Sequence, residues 1–212
     1  MRTGRPRAFC VEETLDRAMT VFWRHGYEGS SMSDLTAAMG INSPSLYACF
    51  GSKEGLFRKV LQRYDERRKK FMEDVIAAPT AQAVAETYLH GVADFAVDTS
   101  GQNPPGCLLL QSGLSCGDSD IPDELARHRA EKEEALRNRF EKARKASELP
   151  KGVTPTMLAR YLMTVSNGIC VQASSGSTAR ELHEVAALAL MGWPGGNAAK
   201  PAKTRKKVAA DA

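Results

Sequence analysis

Apolar residues recur at helical spacing along nearly the whole chain, and near the N-terminus glycines cut that pattern into short pieces. Leu15, Ala18, Met19 and Phe22 fall at i, i+3, i+4 and i+7, which places them on one face of a helix. That helix is predicted to end near His25, with Gly26 as its stop. Ser31 can cap a second, short helix with Asp34 in its first turn, Leu35, Ala38 and Met39 on its inner side, and Gly40 as its end. Asn42 or Ser43 opens a third. Pro44 sits in its first turn, where a missing amide hydrogen costs little, and Leu46, Tyr47 and Phe50 follow. After Gly51, Ser52 caps a long fourth helix with Leu56, Phe57, Val60, Leu61 and Tyr64 inside. The charged run from Asp65 to Lys70 reads as its solvated middle.

The rest of the chain continues in the same period. Helices are expected from about Ala81 to Asp98, Cys107 to Leu114, Pro122 to Ser147, Thr156 to Ala173 and Thr178 to Met191. No stretch alternates with period two. The expected fold is all-α with about nine helices, a set of short helices at the N-terminal end and longer ones behind them. The expected divisions are 1–8, a basic arm; 9–57, the short-helix domain; 58–192, the larger helical domain; and 193–212, a disordered basic tail.

Composition narrows the function classes. Hydrophobic residues make up 42% and charged residues 25%, ordinary for a folded soluble chain. No run approaches the roughly 20 apolar residues of a membrane helix, so no membrane partner is expected. The basic N-terminus lacks an apolar stretch behind it, which reads as an arm of a cytoplasmic protein. The five cysteines are scattered and odd in number, so neither a disulfide framework nor a zinc site is expected. His25, His90, His128 and His183 lack HExxH spacing, and no GxSxG elbow or phosphate-cradling glycine loop occurs. An enzyme is therefore not expected, nor a cofactor or metal. The net charge of +4 permits an acidic partner.

Two short helices joined at Gly40 and braced by a longer one form the pattern of a helix-turn-helix. A reading helix must be short enough for the major groove, anchored by a small apolar core, and tipped with polar groups such as Ser43, Ser45 and Tyr47. The string from Ala18 to Tyr27, then Ser30 to Asn42, then Ser45 to Phe57, resembles the DNA-binding domain of the TetR family. The resemblance implies that 9–57 is a three-helix helix-turn-helix DNA-binding domain and 58–192 a helical ligand-binding, ligand-sensing and dimerisation domain of a dimeric regulator, by default a repressor, that leaves a palindromic double-stranded operator when a small-molecule inducer binds. It implies phosphate contacts from Ser31 and Lys53 and a major-groove surface of Ser43, Pro44, Ser45 and Tyr47. Ala48 and Cys49 stand where many members carry His or another polar residue, which leaves fewer hydrogen bonds to base edges. Arg2, Arg5 and Arg7 form an extended arm suited to a narrow minor groove.

In the family the dimer face lies on the last two large helices, here carrying Leu158, Leu162, Val165, Ile169, Leu182, Val185, Leu188 and Ala189. Phe95, Cys107, Gln111 and Tyr161 are candidate sensor residues among the middle helices. Cys107 opens a Gly-Cys-Leu-Leu string that resembles a subset of these regulators, some of which sense electrophiles or oxidants through a cysteine here. A thiol switch at Cys107 is thus an alternative to a bound inducer, with Cys116 as the nearest resolving thiol in sequence. A helical adaptor without specific DNA binding is a remote third reading.

Overall fold

The computed structural model describes residues 11–98, 103–113 and 120–194. The expected arm with Arg2, Arg5 and Arg7, Cys116 and the tail from residue 195 lie outside the described residues. Nine helices are present among the described residues: α1 (Val11–Gly29), α2 (Met32–Met39), α3 (Ser43–Phe50), α4 (Lys53–Ala77), α5 (Ala81–Ala96), α6 (Leu108–Gly113), α7 (Ile121–Lys145), α8 (Pro155–Ser174) and α9 (Ala179–Met191).

Short polar residues start most of them for the reason anticipated. Ser31, Asn42, Ser52, Thr80, Thr154 and Thr178 each accept a backbone N–H from the first turn. The first regular helix stops at Gly26 as expected: Gly26 takes φ 69° and ψ 176°, outside helical values, and a short helical turn continues beyond this kink to Gly29. The kink is fixed from both sides. Ser30 Oγ donates to the Gly26 carbonyl at 2.6 Å, and the Tyr27 ring swings onto Phe57, with centroids 5.0 Å apart.

Two apolar cores result. One joins α1 to α3, the first half of α4, α6 and the start of α7, and contains Phe22, Leu35, Leu46, Phe57, Leu108 and Leu125. The other joins the end of α4, α5, α7, α8 and α9, and contains Leu89, Phe140, Leu158, Leu162 and Leu182. Helix α4 runs through both. It is tied to α1 through Asp16, which pairs with Arg63 at 3.1 Å and Arg67 at 2.7 Å, and to α7 through Arg58–Glu124 at 2.8 Å. Helix α9 is tied to α5 through His183, whose Nε2 lies 2.8 Å from Asp94 Oδ1 and whose Nδ1 lies 2.8 Å from His90 Nδ1.

The charged run in α4 is solvated only in part: Glu66, Arg67, Lys69 and Lys70 are exposed, and the others are drawn into contacts. Arg63 and Arg67 pair with Asp16, and Asp65 lies 2.9 Å from His128 Nδ1 and 3.7 Å from Lys132 Nζ. Arg68 turns inward, its guanidinium 4.5 Å from the Tyr64 ring centroid and 5.3 Å from that of Phe95.

Candidate nucleic-acid interface and sensor cavity

Helix α3 is anchored by Leu46, which is fully buried, and turns its other side outward. Ser43, Pro44, Ala48 and Cys49 are exposed, and Tyr47 is 51% exposed despite its aromatic ring. Ser45 is half-buried, and its backbone N–H donates to Asn42 Oδ1 at 2.8 Å. A tyrosine on an eight-residue helix with no protein partner for its hydroxyl among the described residues presents a donor to whatever lies outside.

Ser31 is exposed at the start of α2, but its hydroxyl is engaged. It accepts from the Asp34 backbone N–H at 3.0 Å and donates to the Asp34 carboxylate. These bonds hold the Asp34 carboxyl below its usual range, with the Ser31 side-chain bond the largest cause. A phosphate contact at Ser31 therefore requires its hydroxyl to leave Asp34.

Lys53 opens α4 directly after its cap Ser52, and its ammonium lies 4.5 Å over the Tyr27 ring. Burial lowers its pKa and Glu28 opposes that. Tyr27 is pushed up to about 12, by burial first and by Glu54 next. The kink at Gly26 thus builds the platform that aims Lys53, at the positive end of α4. Sequence reasoning missed a second basic feature, a cleft between α1 and α2 lined by Arg17, Thr20, Val21, Arg24, His25 and Ala38. The signal was present: Arg17 and Arg24 lie opposite the apolar stripe of α1, and His25 flanks it.

The predicted sensor residues do not come together. Cys107 lines a cavity of about 60 Å³ with Arg68, Phe71, Tyr88, Lys132 and Cys170 among its walls. Phe95 is 41% exposed and lines a separate cleft with Trp23, Tyr64 and Asn103. Gln111 donates to Ser174 Oγ at 3.4 Å. Tyr161 sits on the outer side of α8, donating to the Ala189 carbonyl at 2.9 Å. The middle helices are bulkier at their crossings than helix placement alone suggests, and Phe71, packed against the backbone of α5 at Gly91, fills space that a pocket would need.

Cys107 Sγ lies 3.3 Å from the Tyr64 hydroxyl. Its thiol is held well below the ordinary value, first by a hydrogen bond from Cys170, against the penalty of burial, then by the Arg68 charge, the Tyr64 hydroxyl and Lys132. Cys170 is pushed up by the same hydrogen bond and by burial. Helix α6 has only six residues, so side chains of α4, α7 and α8, rather than its dipole, set this thiol.

On the dimerisation helices, half of the apolar residues expected to face a partner are core. Leu158, Leu162, Ile169 and Leu182 are at most 2% exposed. The apolar residues left outside are Met157, Tyr161 and Val171 on α8 and Val185, Leu188 and Met191 on α9, with Leu188 and Met191 exposed by 69% and 76%. The buried positions share one face of each helix, and the exposed apolar residues lie to the side of it, as Met157 and Tyr161 do directly before Leu158 and Leu162.

The profile of the family described as bacterial regulatory proteins, tetR family, matches residues 15–60. The HTH-type transcriptional repressor ComR of Escherichia coli K12 is 33% identical over 195 residues, covering 90% of this chain and 92% of that protein. A solved structure of the TetR family transcriptional regulator CifR, a cysteine mutant in complex with 26-base-pair operator DNA, matches with a TM-score of 0.83 and 36% identity, covering 90% of this chain and all of that one. A TetR regulator from Rhodococcus sp. RHA1 is 42% identical at a TM-score of 0.59 over 86% of this chain and 98% of that one. The chain belongs to the TetR family of bacterial transcriptional regulators, with its helix-turn-helix at the N-terminal end.

Proposed function

We propose that this protein is a cytoplasmic, non-enzymatic repressor that binds a palindromic operator as a homodimer. The observation that carries the reading is α3: a short helix pinned by buried Leu46 that presents Ser43, Pro44 and half-exposed Tyr47 on its open side. Lys53 adds a held cation one turn of chain further on. The likeness to CifR, which is solved on operator DNA, supports the same docking. Arg5 and Arg7 extend the surface towards the minor groove in this reading, and Ser31 contributes a phosphate contact once freed from Asp34. A second copy covers the apolar stripe of α8 and α9, which sets the spacing of the two heads.

Selection of bound sequences from random duplex DNA at near-physiological salt tests this. Recovery of a palindromic motif is the expected result; only salt-sensitive bulk binding would overturn it. Sedimentation should show a dimer that Leu188→Glu converts to monomer.

A second reading concerns the signal. A cavity of about 60 Å³ is far below the about 300–1,000 Å³ of pockets for drug-sized ligands. At this cavity that favours modification of Cys107 itself over filling by a large inducer; a larger inducer would instead take the open cleft of about 1090 Å³ between α4 and α7, lined by Gln62, Met72, Ile76, His128 and Lys132.

A further inference from the structure

Cys107 occupies a seam. It packs against both apolar cores, the one that carries the reading head and the one that carries α8 and α9. The loop before it is fixed hard against α8. Gly106 donates its N–H to the Ala96 carbonyl at 2.8 Å, and a Cβ on Gly106 would meet Ser174 Oγ at 2.1 Å and the Cys170 carbonyl at 3.1 Å. Ser174 Oγ lies 3.4 Å from the Pro105 carbonyl, and Gln111 reaches the same oxygen from α6. This one turn of α8 carries Cys170, which lines the same cavity as Cys107.

The cavity has the chemistry for a small neutral oxidant. Its size admits a molecule of a few heavy atoms. Arg68 meets no carboxylate among the described residues, and its guanidinium rests on aromatic rings. Together with Lys132 it supplies positive charge that favours a thiolate on Cys107 and the charge developing on a departing oxygen.

We propose that Cys107 and Cys170 are a redox dithiol that hydrogen peroxide converts to an intrachain disulfide, with Cys107 as the attacking and Cys170 as the resolving sulfur. In the first step the Cys107 thiolate attacks one peroxide oxygen, the O–O bond breaks, and the departing hydroxide takes a proton from solvent or the Lys132 ammonium to leave as water. Cys107 is then a sulfenic acid. In the second step the Cys170 sulfur attacks Cys107 Sγ, the S–O bond breaks, and the hydroxyl leaves with the Cys170 proton as a second water. Two thiols are oxidised by two electrons and one peroxide is reduced to two waters. Closing the bond to about 2.05 Å draws Cys107 away from Tyr64 towards α8. Helix α6 follows, and its Leu108 and Leu109 are part of the reading-head core. Release of operator is the expected consequence, and that consequence alone rests on the repressor reading.

The test uses the reduced full-length protein, treated with hydrogen peroxide and mapped by peptide mass spectrometry, with operator affinity measured in parallel. Wild type and Cys116→Ser should both yield a Cys107–Cys170 linkage that dithiothreitol reverses. Cys170→Ser should stall with a sulfenic acid on Cys107 that dimedone traps, and Cys107→Ser should leave Cys170 a free thiol. A linkage from Cys107 to Cys116 or Cys49, or free thiols at both positions under peroxide excess, would overturn the proposal. The wild-type map needs neither a variant nor DNA, so it stands apart from the repressor reading. A mapped disulfide with unchanged operator affinity would leave the dithiol in place and sink its coupling to the head.

Discussion

The reading head and the sensor cavity handle polar groups in opposite ways. In the head, the apolar residues Phe22, Leu35, Leu46 and Phe57 are sealed inside, and Ser43, Tyr47 and Ser31 lie outside, where they cost nothing to solvate. Around the cavity, charged and nucleophilic groups are drawn in: Arg68, Lys132, Tyr64, Cys107 and Cys170. Polar groups held away from water are costly unless they serve one another, and here each adjusts its neighbour's protonation. The head is built to be rigid and to meet something from outside. In the proposed switch, a small chemical change inside the cavity acts on neighbours that belong to both cores.

The comparison breaks most readily at the head's core. Phe57→Ala removes a fully buried ring that touches Phe22 and Tyr27, and should cost about 3–5 kcal/mol of unfolding free energy in urea titration. A loss under 1 kcal/mol would mean that the head is looser than its packing implies. Next in size, Tyr47→Ala or Lys53→Ala should each weaken operator binding by about 1–3 kcal/mol. The melting temperature should hardly move for Tyr47→Ala. Unchanged affinity in both variants would remove α3 and the start of α4 from the interface.

Ser31→Ala deletes one half of a capping box and should lower stability by about 1 kcal/mol. An operator affinity that falls by more than this stability loss explains would separate a phosphate contact from a merely structural cap.

The smallest stability effect is expected from Arg68→Met, because the guanidinium makes no ion pair among the described residues. Its effect should be on pH dependence. Cys107 is held below the ordinary thiol value of about 8.5, so it is thiolate at pH values where a free cysteine is still protonated. Its alkylation rate should therefore rise with pH through an inflection below that value. Removing the Arg68 charge should move the inflection up, and an unmoved inflection would show that Cys170 and Tyr64 suffice without it.

Much of the head was legible because its signals are local. Ser31, Asn42 and Ser52 precede apolar stripes at fixed offsets, and Gly40 ends a helix in the left-handed region with φ 69°. Gly26 was read as the stop of the first regular helix and takes φ 69°; the short turn beyond it was not legible, because the seating of Tyr27 on Phe57 involves a residue some thirty positions away in the chain. Arg68 was hidden inside a run of charges, although the register Leu61, Tyr64, Arg68, Met72, Val75 places it on the inner stripe of α4. Cys116, the thiol nearest to Cys107 in the C-terminal direction, lies outside the described residues, and only the fold shows that α8 brings Cys170 to the same cavity across 63 positions. Likewise Tyr161 was placed in the sensor, and it lies on the outer side of α8.

The sequence by itself determined the helices, their caps, the all-α class and the polar face of α3, because these follow from period, capping chemistry and local sterics within a few residues. Tertiary structure alone decided which half of each stripe on α8 and α9 is core, and which thiol, cation and hydroxyl share the cavity at Cys107. Those assignments depend on how five helices cross. A crossing is set by the summed packing of side chains far apart in the chain, and no local pattern records that sum.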